Sequence, residues 1–97
     1  MHVLALAVDL HVPESRSLKS RRAAVKPLVE GIRRRYGVSV AEVGGQQTWQ
    51  RVQLGVAVVA GTSHHATDVI DEVERFIWSH PEVQVLGMSR SWLELDE

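Results

Sequence analysis

VSVAEVGGQQTWQRVQLGVAVVA, residues 38–60, is the stretch on which the fold turns. VSVAEV (38–43) and RVQLGVAVVA (51–60) each read as a strand. The connection GGQQTWQ (44–50) supplies glycines for a reversal, so the two strands form an antiparallel hairpin. Upstream, residues 2–12 alternate, with Leu4, Leu6, Val8, Leu10 and Val12 on one face and Val3, Ala5, Ala7, Asp9 and His11 on the other. That period of two predicts a strand, which Pro13 ends.

Between this strand and the hairpin, Val25, Leu28, Val29, Ile32 and Tyr36 recur at helical spacing. Ser17 is placed to cap the helix start and Gly37 its end. Pro27 lies inside it, deletes one helical hydrogen bond and predicts a kink or a division in two. After the hairpin, Gly61, Thr62 and Ser63 cap a second helix with Ala66, Val69, Ile70, Val73, Phe76 and Ile77 as its apolar stripe, and Pro81 lies beyond its end. VQVLGMSRSWLEL (83–95) reads as a last strand, bulged at Gly87.

The order β-α-β-β-α-β predicts an α+β ferredoxin-like sandwich. Its antiparallel four-stranded sheet has order 4-1-3-2, with both helices on one face. Residues 1–97 form one such domain. This topology brings three separate segments, 13–17, 44–50 and 80–82, to the same end of the sheet.

Composition narrows the function classes. A net charge of −1 excludes a bulk polycation, so an electrostatic partner must meet a local patch. The absence of cysteine removes disulfides, thiolate metal sites and a cysteine nucleophile. MHVLALAVDLHV carries Asp9 and has no basic leader, so it reads as a strand rather than a signal peptide. No apolar run approaches the ~20 residues of a membrane span, and a cytoplasmic location is the default expectation.

The sheet face away from the helices presents Val3, Ala5 and Ala7 from the first strand and Gly55, Ala57 and Val59 from the third. These are small and apolar, a poor composition for a face left in water, and a homodimer through this face would cover it. An RNA-recognition motif would place stacking aromatics here, and RVQLGVAV holds none.

Seven of the eleven basic residues fall in SLKSRRAAVKPLVEGIRRRYG (17–37), with Glu30 the one acid. At 100° per residue about Val25, Arg22, Arg33, Lys26 and Lys19 lie about 60° to 120° from the apolar centre. They form one flank, joined by Arg34 and Arg35, with Arg16 at the helix start. The flank suits a phosphate backbone, and equally suits a solvated helix face. Arg21 points toward the sheet and should pair with Glu42 or Asp9. The hairpin adds Trp49 and Arg51, near Arg16 and His11. Trp49 either packs back on the helix or stands out as a stacking contact, and Trp78 presents the same alternatives. The preferred nucleic-acid or anion site is therefore Arg16, Lys19, Arg22, Lys26, Trp49 and Arg51.

Catalysis has little to stand on. There is no Gly-rich phosphate loop, no G-x-S-x-G and no cysteine. Asp9, His11, Ser15 and Ser17 evoke a triad, but serines at a helix start are sufficiently explained as caps. His64 and Asp68 offer two ligands at i, i+4, too few for a metal. Neither a cofactor nor a metal is called for.

SRSLKSRR (15–22), YGVSVAEVG (36–44), WQRVQLGVAVVA (49–60) and HPEVQVL (80–86) together resemble the YlxP-like family of small bacterial domains of unknown function, across nearly the whole chain. The resemblance implies a ferredoxin-like fold. It also implies, through gene neighbourhood, a role near RNA or the ribosome, and it carries no catalytic residues over. The family's hairpin pattern D-H-Q-D-x-W-Q-R departs here to GGQQTWQR, which removes the acids that hairpin chemistry would need. The reading is a non-enzymatic accessory protein that binds RNA or the ribosome through its first helix and hairpin. The alternative is a protein-interaction or small-ligand-sensing dimeric module.

Overall fold

The computed structural model describes residues 1–45 and 48–93. Its elements are β1 (His2–His11), α1 (Leu18–Tyr36), β2 (Ser39–Gly44), β3 (Arg51–Ala60), α2 (Ser63–Trp78) and β4 (Gln84–Leu93). The four strands form one sheet of order β2-β3-β1-β4, which is the expected 4-1-3-2 read from the other edge. All three pairings are antiparallel, with Ala5 opposite Ala57 and Ser91 at the centre. The chain therefore has the ferredoxin-like βαββαβ architecture. The part of the expected last strand at 94–95, like Gln46 and Gln47 of the hairpin, lies outside the described residues.

Alternation builds the core. Leu4, Leu6, Val8 and Leu10 of β1 and Val52, Leu54, Val56 and Val58 of β3 face the helices and are buried. They meet Val25, Leu28 and Ile32 of α1 and Ala66, Ile70, Val73 and Ile77 of α2. Helix α1 packs on β2 and α2, and α2 packs on β1, β3 and β4.

Two bulges re-aim side chains. The β1–β4 register shifts between Asp9, opposite Gly87, and Leu10, opposite Val85, which leaves Leu86 as the extra residue beside the expected Gly87. A second shift, between Glu42 and Gly44 in β2, frees Val43. Val43 then folds over Gly55 on the uncovered face, where a Cβ at residue 55 would lie 3.1 Å from Val43 Cγ1.

The helix ends follow local chemistry. Ser17 Oγ accepts from Ser20 N, and Ser20 Oγ returns the contact to Ser17 N, a capping box with serine at both positions. Gly37 closes α1 at φ 60°, a left-handed position that suits glycine. Thr62 caps α2 by accepting from His65 N.

Pro27 does not divide α1, contrary to the division that its chemistry allowed. It lies on the exposed side of the helix, as does Ala23, whose carbonyl loses its helical donor. The cost of the missing hydrogen bond remains. Pro27→Ala is expected to raise the unfolding free energy by about 2 kcal/mol, read by urea denaturation with m unchanged.

Candidate functional site

Arg21 organises the end of the molecule where the hairpin lies. It occupies the sheet-facing side of α1 and is 1% exposed. Nη2 lies 3.2 Å from Glu42 Oε1, as one of the two sequence expectations held. Nη1 donates to the carbonyls of Gly45 (3.0 Å) and Arg51 (3.1 Å), at the two ends of the hairpin connection. Thr48 closes on the same two carbonyls, its Oγ1 donating at 3.2 and 3.3 Å. Gly45 has φ 77°, and a Cβ there would meet the Arg51 carbonyl oxygen at 2.9 Å. A side chain would thus push apart the contact that Arg21 clamps.

Two further bonds tie the hairpin to the start of α1. Val12 N donates to Gln50 O at 2.9 Å, and Gln50 Nε2 donates to Ser15 O at 3.3 Å. Trp49 is therefore held one residue from the segment that leads into α1. It is 53% exposed and lines a shallow groove of about 380 Å³ with Thr48, Gln50 and Arg51. Of the two readings of Trp49, its position matches the outward one. Trp78, 63% exposed, is likewise uncovered.

Arg16, Lys19, Arg22 and Lys26 are all exposed. Arg16, Lys19 and Arg22 form no ion pair among the described residues, and Lys26 stands 4.0 Å from Glu30. The serines between them are committed to structure. Ser15 is buried and its Oγ donates to Ser17 O, while Ser20 Oγ also accepts from Arg16 N. This bonding gives Ser15, Ser17 and Ser20 partners at the helix start and occupies part of the N-terminal amide array that an anion would use.

Other charged residues are placed differently from the sequence expectation. Arg51 points to the uncovered sheet face, away from α1, and binds Asp9 Oδ2 at 2.6 Å. It shares the hairpin with Trp49 but not the α1 flank. Arg33 Nη2 donates to Val40 O at 3.1 Å, and Arg35 stacks over Phe76 with its Cζ 4.8 Å from the ring centroid. Arg33 and Arg35 are thus not simply solvated, whereas Arg34 is exposed, and Arg35 belongs to the opposite flank from Arg22. Arg90 binds Asp71 (2.7 Å) and Glu74 (2.8 Å). Partial burial opposes its charge, but the hydrogen bonds it donates to both carboxylates, and their negative charge, prevail and raise its pKa. His64 and Asp68 pair at 3.3 Å, and among the described residues no group of three suits a metal.

The uncovered face carries Val3, Ala5, Ala7, Gly55, Ala57 and Val59 as expected, and Ser39, Ala41, Ser89 and Ser91 extend it across the outer strands. Two adjoining shallow grooves of about 320 and 360 Å³ run along it, sharing Ala7, Val43 and Ser89.

A family model described as "Protein of unknown function (DUF503)" matches residues 3–90. The uncharacterized protein YlxP of Bacillus subtilis (strain 168) is 34% identical over 76 residues, covering 78% of this chain and 83% of that protein. The chain belongs to the DUF503 family. Solved structures share the fold of this DUF503 domain at low identity. A de novo designed protein with a ferredoxin fold matches at TM-score 0.54 and 14% identity, covering 98% of this chain and 88% of the design. A dimeric ferredoxin-like protein from an uncultured marine organism matches at TM-score 0.50 and 13% identity, with 100% of both chains covered.

No helix among the described residues of the DUF503 domain is long and apolar enough to cross a membrane. The clamp at Arg21 is its most demanding local feature. Arg21→Ala removes a buried donor from Glu42 and two carbonyls together, and is expected to cost about 3 kcal/mol in chemical denaturation. A loss below about 1 kcal/mol would contradict the clamp.

Proposed function

We propose that this DUF503 domain is a non-enzymatic, homodimeric accessory protein that binds RNA, with ribosomal RNA as the natural candidate. The observation that carries the reading is the α1 flank. Arg16, Lys19 and Arg22 are exposed and form no ion pair among the described residues, beside an exposed Trp49 held by the same hairpin. Cations left without carboxylate partners keep their full attraction for a phosphate backbone, and an indole nearby offers a face for an unpaired base. Single-stranded or looped RNA fits this pairing better than a duplex, whose bases are not free to stack on a side chain. Arg51 takes no part in phosphate contact in this reading, because Asp9 already neutralises it.

The homodimer reading rests on the uncovered face. Val59 is 64% exposed there, and Ala5, Ala7, Gly55 and Ala57 beside it are small enough for two sheets to approach closely at the centre. A two-fold pairing of these faces would bury the patch on both copies at once and leave each α1 flank open to RNA.

Binding of a single-stranded RNA oligonucleotide, followed by fluorescence anisotropy across salt concentrations, tests the first part. Arg16→Ala, Lys19→Ala and Arg22→Ala combined are expected to flatten the slope of log K against log salt by about 2, at about 0.7 per lost phosphate contact. An unchanged slope and affinity would overturn the RNA reading. Sedimentation equilibrium at ~100 μM tests the second part: the native chain is expected to run as a dimer and Ala57→Glu as a monomer. A native monomer, or a dimer indifferent to Ala57→Glu, would remove the sheet-face assembly.

A further inference from the structure

The two helices enclose a groove that the RNA reading does not use. Pro27, Gly31, Arg34 and Arg35 of α1 line one side, and Phe76 of α2 with Ser79 and His80 beyond it line the other. Its volume is about 510 Å³, within the range of small-ligand sites. At 100° per residue, Arg35 and Gly31 lie about 80° and 120° from Val25, on the opposite side from Arg22, Lys26 and Lys19. The groove is thus a second cationic surface of α1, separate from the proposed RNA flank.

Packing keeps it in shape. A Cβ at Gly31 would sit 2.5 Å from Phe76 Cζ, so glycine is what admits the ring between the helices. The ring is held by Tyr36 edge-on at 5.9 Å, by His80 at 4.6 Å and by the Arg35 guanidinium. The groove's polar character follows from what surrounds that floor. Arg34 is exposed and forms no ion pair among the described residues, and no carboxylate lines the groove.

The C-terminal end of a helix ordinarily repels anions, and here that pole is capped. The Phe76 carbonyl accepts from Ser79 N (3.2 Å), Ser79 Oγ (2.6 Å) and His80 Nδ1 (2.8 Å). Because a carbonyl only accepts, His80 Nδ1 carries a proton, and Nε2 is the free ring nitrogen. It accepts from a P–OH group when neutral and donates to a phosphate oxygen when protonated.

We propose that this groove binds a small phosphorylated ligand, with Arg34 as the primary phosphate contact and Arg35, Ser79 and His80 around it. Guanidinium forks match phosphate oxygens two at a time, which sets this pair apart from a lysine-rich surface. The reading stands independently of RNA binding, since it shares no residue with the Arg16–Lys19–Arg22 set.

The test is a ¹H–¹⁵N NMR titration of the full chain with inorganic phosphate and, separately, adenosine monophosphate, with sodium chloride at matched ionic strength as control. Saturable shifts are expected at Gly31, Arg34, Arg35, Ser79 and His80, and not with chloride. Arg34→Gln, an exposed change that leaves the packing alone, is expected to weaken binding by about tenfold. Tighter binding of the nucleotide than of phosphate would identify a nucleoside phosphate as the ligand, and equal binding would identify the phosphate group itself. Shifts that mirror chloride, that centre on Lys19 and Arg22, or that survive Arg34→Gln unchanged would each overturn the proposal.

Discussion

Burying a guanidinium is costly, and Arg21 offsets that cost by drawing three acceptors to its two terminal nitrogens, while its buried Nε has no hydrogen-bond partner. Glu42 comes from β2, the Gly45 carbonyl from the end of that strand, and the Arg51 carbonyl from the start of β3. Those groups span the hairpin connection, so satisfying one side chain sets how the hairpin lies against the first turns of α1. A hydrophobic residue of similar size would fill the volume without specifying that arrangement. The same constraint accounts for Gly45, whose left-handed φ and missing Cβ let the backbone come close to Arg51 O. It also accounts for Thr48, which completes the carbonyl acceptors from the other side.

With the hairpin held in this way, charge is sorted by face. Helix α1 displays cations on its β2-side flank, whereas α2 carries Asp68, Asp71, Glu72 and Glu74. On α2 three of the four acids are paired with cations: Arg90 takes Asp71 and Glu74, and Arg75 takes Glu72. On α1 the cations near the helix start have no such partners. A chain with net charge −1 therefore still presents a local positive field on one side, which is the feature that matters for meeting an anionic surface. The uncovered sheet face is mostly apolar by comparison, with Arg51 and Asp9 paired to each other, so the two surfaces suit partners of different chemistry.

The architecture was legible because its signals are short-range. Alternation in β1 and β3, helical spacing around Val25 and Ile70, and caps at Ser17, Gly37 and Thr62 are set by neighbours in the chain, and each matches the structure. Arg21 was also readable, because a lone cation on the sheet-facing phase of a helix needs an acid. What escaped depends on partners distant in sequence. The capture of Arg51 by Asp9 follows from the β1–β3 register, and the turn of Arg35 toward α2 follows from the Phe76 ring. The inter-helix groove was missed for the same reason, although Gly31 in mid-helix was a visible sign of close approach. Of the two outcomes that Pro27 allows, division in two does not occur, since α1 runs continuously from Leu18 to Tyr36.

Native-state hydrogen exchange on Arg21→Met asks whether one guanidinium holds the hairpin to α1. The substitution keeps volume while removing the donors, so the global core should persist. The amides of Val12 and Thr48, bonded to Gln50 O and Gly45 O, should then exchange about tenfold faster relative to Val73 in the core of α2. If Val12 and Thr48 keep their protection relative to Val73, the hairpin is placed by packing alone and Arg21 does not hold it.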